Sequence, residues 1–77
     1  MGVKLRYKHI HFVETDSPTR KTKTFECVNN DGVTVLGDVE WENGWRQYCF
    51  YPEDDMVFSM SCLVDICHFI QQLMDAR

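Results

Sequence analysis

The chain has 77 residues, 44% of them hydrophobic and 13% aromatic, and a formal net charge of −4. That length allows one domain, residues 1–77, around one small core, and the apolar content excludes a disordered chain. No apolar run has membrane-spanning length and the N-terminal MGVKLRYK lacks the apolar stretch of an export signal, so a cytosolic protein is expected, with Cys27, Cys49, Cys62 and Cys67 as reduced thiols.

In chain order, residues 3–14 alternate like a strand, but the phase slips. Val3, Leu5 and Tyr7 share one face, whereas Ile10 and Phe12 share the other, which calls for a bulge or break near Lys8–His9. TDSPTRK is a loop punctuated by Pro18. TKTFECV, residues 22–28, is a second strand. NNDG then supplies a turn in which Gly32 is free to take positive φ. VTVLGDVEW, residues 33–41, is the third strand and WRQYCFY, residues 45–51, the fourth. Asn43-Gly44 between them predicts a two-residue type I′ turn. That turn sets Trp41 opposite Arg46 and Val39 opposite Tyr48. It gives one face Val33, Val35, Val39, Trp41, Tyr48 and Phe50, and puts Leu36, Trp45 and Tyr51 on the other.

The C-terminal stretch is an amphipathic helix capped by Ser59 or Ser61, with Asp65 in or near its first turn. Its stripe of Leu63, Ile66, Cys67, Ile70, Leu73 and Met74 is wider than one small sheet needs, which points to a second contact. The expected fold is α+β: an antiparallel sheet of three to four strands, β-β-β-β-α, with the helix packed on one face.

Charge is distributed unevenly. Lys4, Arg6, Lys8, Arg20, Lys21 and Lys23 crowd the first third of the chain, and from Glu26 to Asp75 the one base is Arg46. A guanidinium stacks well on an indole, so Arg46 beside Trp41, Trp45 and Tyr48 forms a candidate ligand site: the cation takes a phosphate while a ring stacks on a base. The alternative is that Arg46 pairs with Glu40, Glu42 or a carboxylate at the helix end and merely rims the core. Asp38, Glu40 and Glu42 form an acidic row on the other face, with same-face neighbours roughly 6.6 Å apart. Such a row can imitate a nucleic-acid backbone and occupy a basic protein groove, or it can be a solvated face that discourages edge aggregation. The basic segment Arg20–Lys23 suggests phosphate contact and hence a nucleic-acid-binding module.

Other chemistry finds less support. His9-x-His11 can share a strand face, but the cysteines lack the close pairing of zinc sites, so no metal is expected. Asp65 and His68 can touch on the helix, with no cysteine or serine nucleophile expected on that polar side. No phosphate-binding loop or nucleophile motif is present, so the expectation is a non-enzyme without cofactor.

The run GDVEWENGWRQYCFYP followed by MVFSMSCLVDICHFIQQL resembles a set of small tailed-bacteriophage and prophage proteins of unknown function. Trp41, Trp45, Arg46, Gln47, Tyr48, Phe50, Pro52, Val57, Phe58, Cys62, Leu63, Ile66 and Phe69 carry the resemblance, which spans the last two-thirds of the chain. It implies a phage or prophage source and action in a bacterial host cytosol. On this reading the chain is a homo-oligomeric binding protein that counteracts a host defence system, by binding either a small nucleotide signal or a host effector protein. The alternative is a nucleic-acid-binding or virion-associated accessory module that uses the basic N-terminal segment.

Overall fold

The computed structural model describes residues 2–16 and 21–77. Pro18 and Arg20 of the expected loop lie outside them. The elements are β1 (Ile10–Thr15), β2 (Thr24–Asn29), β3 (Val35–Glu42), β4 (Gln47–Pro52) and α1 (Met60–Asp75). The strands form one antiparallel meander in the order β1-β2-β3-β4, and the helix covers one face, giving the expected α+β arrangement. No helix among the described residues is long and apolar enough to cross a membrane.

Of the bulge or break expected at Lys8–His9, the structure has the break, in the form of a full reversal. Tyr7 N donates to Ile10 O at 2.8 Å, Phe12 N donates to Leu5 O at 2.8 Å, and Arg6 pairs with His11. A two-residue reversal changes the parity of the inward positions, so odd residues before it and even residues after it face one core. Asn30 fastens this hairpin to the sheet. Its Nδ2 donates to Tyr7 O at 2.9 Å and Lys8 O at 3.1 Å, and its Oδ1 accepts from Arg6 Nη1 at 3.2 Å.

The β2–β3 connection turns at Gly32, at φ 85° as expected. Asp31 holds it: Oδ1 accepts from Val33 N at 2.9 Å and Thr34 N at 3.0 Å, while Oδ2 accepts from the Thr34 hydroxyl at 2.8 Å. These donors stabilise the ionised form and hold the Asp31 carboxyl below its usual range.

The register between β2 and β3 then shifts. Cys27 faces Gly37 and Val28 faces Val35, so Leu36 is the extra residue of a bulge. Three expected faces are corrected here: Leu36 turns inward and is buried, Val35 pairs with Val28 outside the core cluster, and Val33, in the turn before β3, is 81% exposed.

Phe12, Phe69, Ile10, Val39 and Cys27 are the most deeply buried side chains. Each large apolar one contributes roughly 1.5–3 kcal/mol relative to exposure. Phe12 stacks on Phe69 at 3.9 Å between ring centroids, and Phe25 meets Phe69 edge-on at 5.0 Å. The helix starts at Ser59, whose hydroxyl accepts from Cys62 N at 3.2 Å. No acidic residue lies in its first turn; Asp65 falls one turn later. Ile66, Phe69 and Leu73 are its buried face.

Candidate functional site

The β3–β4 hairpin departs from the expected turn. Glu42 pairs with Gln47 and Trp41 with Tyr48, so Asn43, Gly44, Trp45 and Arg46 form a four-residue loop. Arg46 N donates to Glu42 O at 2.7 Å, and positive φ falls on Arg46, at 56°, not on Gly44. Side chains favour this wider loop over a type I′ turn. Trp41 Nε1 donates to Asn43 Oδ1 at 3.0 Å. Glu42 accepts from Gly44 N at 2.9 Å through one carboxylate oxygen and from the Tyr51 hydroxyl at 2.7 Å through the other. That last bond favours the protonated phenol and, with a smaller contribution from burial, pushes Tyr51 up to about 12.

The four candidate ligand residues are thereby divided. Trp41 and Tyr48 face the helix side as an edge-to-face pair, 5.4 Å between centroids and 79° between planes. Trp45 is 73% exposed, and Arg46 is exposed beside it in the loop. Arg46 is not opposite Trp41. The cation over the Trp41 ring is Arg77, whose Cζ lies 3.8 Å from the ring centroid. Arg77 was legible only as the first base after the helix; no periodicity ties it to a strand two elements earlier.

The acidic residues do fall together. Asp38, Glu40 and Glu42 alternate along β3 on the face away from the helix, and all three are half-buried. Asp38 lies between Glu26 of β2 and Tyr51 of β4, and Glu26 faces Val13 of β1. A line Val13–Glu26–Asp38–Tyr51 therefore crosses the uncovered sheet face. At its hairpin end Glu42, Gly44, Trp45, Cys49, Phe50 and Tyr51 enclose a recess of about 360 Å³.

The histidines separate. His9 is exposed at the hairpin turn, while His11 Nδ1 lies 2.7 Å from Asn30 Oδ1 on β1, so the two do not share a strand face. His68 Nδ1 meets the Tyr7 hydroxyl at 2.7 Å, and that hydroxyl also accepts from Gln72 Nε2 at 2.9 Å. Which of Tyr7 and His68 donates depends on the imidazole tautomer. This contact ties the helix to the N-terminal hairpin. Among the described residues no three His, Cys, Asp or Glu side chains gather as metal ligands.

The cysteines are free thiols. Cys27 is wholly buried, and burial, then the neighbouring Cys62 and Asp38, pushes its thiol up to about 12. Cys67, assigned from sequence to the apolar stripe, is exposed.

No family model and no solved structure matches the chain. An uncharacterised 9.3 kDa protein of Acholeplasma phage L2 is 34% identical over 70 residues, which cover 91% of this chain and 90% of that protein. The match spans most of both chains, so the chain belongs to the same family of small phage proteins.

Proposed function

We propose that the chain is a non-enzymatic binding protein that acts in the bacterial host cytosol. It counteracts a host defence component by stoichiometric binding through the sheet face that the helix leaves uncovered. The observation that carries the reading is the composition of that face. A solvated face needs charge alone, whereas here Glu26, Asp38 and Glu40 run beside Val13, Tyr51 and the 73% exposed Trp45. Acids mixed with large exposed rings favour a macromolecular contact, because rings supply binding energy at little entropic cost and charge selects the partner. Charge complementarity makes that partner a basic protein surface. The recess between Trp45 and Tyr51 suits a guanidinium or ammonium group, with the Glu42 carboxylate at its wall.

The kinship with a phage protein supports the setting, and the helix supports the assembly. Met60, Leu63 and Val64 are 81%, 50% and 58% exposed, and Cys67 is exposed with them. They recur at i, i+3, i+4 and i+7 on the side turned away from the sheet, a spacing that suits pairing with a second copy. Such a homodimer presents its two acidic faces outward.

Affinity capture from lysate of the native host tests the reading. The expected result is a basic host protein retained by the wild type and released by raised salt. Asp38→Lys with Glu40→Lys should lose it, Trp45→Ala should weaken it, and Lys21→Glu with Lys23→Glu should keep it. Retention unchanged by the charge reversal on β3 overturns the proposal.

A further inference from the structure

On the helix side of the sheet, at the end where α1 stops, the chain forms a cleft of about 380 Å³. Its rim carries Lys21 and Lys23, from the segment leading into β2, and Arg77, from beyond the helix. Phe25, Tyr48 and Leu73 form its apolar floor. The three cations come from opposite ends of the chain and converge although the protein as a whole carries a net charge of −4. Among the described residues no carboxylate side chain lines the cleft. Lys23 pairs loosely with Glu14, at 3.9 Å, and both side chains are more than half exposed. Such a pair is weak and readily exchanged for a better anion.

Arg77 is also positioned. Its Cζ lies over the Trp41 ring, 3.8 Å from the ring centroid, and Trp41 is itself fixed by Asn43 and Tyr48. A guanidinium carries five N–H donors, so one held over a ring keeps donors for a second partner. That geometry recognises a phosphate, with the two lysines adding charge. The floor offers aromatic and aliphatic carbon to a planar ring. The volume stands near the lower end of the roughly 300–1,000 Å³ typical of ligand clefts, which suits a single nucleotide rather than a strand.

We infer that this cleft is a binding site for a small phosphate ester carrying an aromatic ring, of the nucleoside monophosphate class, held by Lys21, Lys23 and Arg77. The site lies across the sheet from the acidic face, so it stands or falls independently of the protein-binding reading. It also moves the phosphate-binding cation from Arg46 to Arg77, with Tyr48 in the cleft floor and Trp41 beneath Arg77.

Titration of the isotope-labelled full chain at low salt, followed by amide and indole NMR shifts, tests it with adenosine monophosphate, adenosine and inorganic phosphate as three separate probes. The monophosphate is expected to give saturable shifts at residues 21–23, at Arg77 and at the Trp41 indole, leaving the Trp45 indole still. Phosphate should bind more weakly at the same residues, and adenosine most weakly. Lys21→Gln with Lys23→Gln should lower monophosphate affinity about tenfold or more, Arg77→Gln should do likewise, and Arg46→Ala should not. All these side chains are on the surface, so dispersed spectra will show that the variants fold. Equal response to adenosine and its monophosphate, shifts centred on Trp45, or no saturation at millimolar concentration each overturns the inference.

Discussion

Gly37 shows how closely backbone and ring are fitted on β3. A β-carbon placed there would lie 2.5 Å from the Tyr51 carbonyl oxygen and 2.6 Å from the Phe50 ring. The ring sits over Gly37 because the register sets Phe50 opposite Val39, two pairs along the ladder and hence on the same face, and Phe50 also meets Phe58 edge to face at 5.4 Å. Neither the carbonyl of a paired strand nor a ring packed against Phe58 can retreat cheaply. Gly37→Ala is therefore expected to destabilise by roughly 1–3 kcal/mol, the usual cost of overpacking. Chemical denaturation at neutral pH will measure it, and a variant as stable as the wild type would mean that Phe50 swings out freely.

At the scale of the element, the hairpin loop concentrates its strain on one residue. Arg46 holds φ at 56°, a region that costs a non-glycine residue roughly 1–2 kcal/mol. Arg46→Gly should thus raise the unfolding temperature, offset in part by the greater entropy of the unfolded chain. A lower melting temperature would show that the arginine side chain stabilises the loop by more than its backbone strain costs.

The hairpin also shows what sequence could and could not convey. From Gly37 onward the alternation of β3 and β4 determines which residues face the helix, and the observed register differs from the type I′ register by two, a shift that preserves those faces. Trp41, Val39, Tyr48 and Phe50 were therefore correctly grouped, and Asp38, Glu40 and Glu42 correctly aligned, although their cross-strand partners were not. The expected neighbour of Trp41 failed because the turn depends on side-chain bonds of Asn43 and Glu42 that no dipeptide rule contains. Likewise the slip at Lys8–His9 was visible as a parity change, but a bulge and a hairpin produce the same change. Bonds from Asn30, far along the chain, help to hold the hairpin, and sequence spacing does not show them.

In the whole molecule the faces divide the work. One side of the sheet packs on Ile66, Phe69 and Leu73, the other bears the acidic line, and the back of the helix bears an apolar seam that touches nothing within the chain's core. A domain of this size buries little apolar surface alone, so pairing two such seams adds stability where a single core is smallest. A twofold contact is the commonest way to do so. The wild type is thus expected to sediment as a dimer at micromolar concentration. Leu63→Asp should produce a monomer with unchanged helix content, because Leu63 is 50% exposed and contributes little to the core. Cys67, on the same seam, should cross-link between copies with a short bismaleimide, whereas Cys27, buried and held protonated, should react only on unfolding. A wild type that sediments as a monomer at high concentration, or a cross-link undiminished by Leu63→Asp, would leave the seam without its second copy.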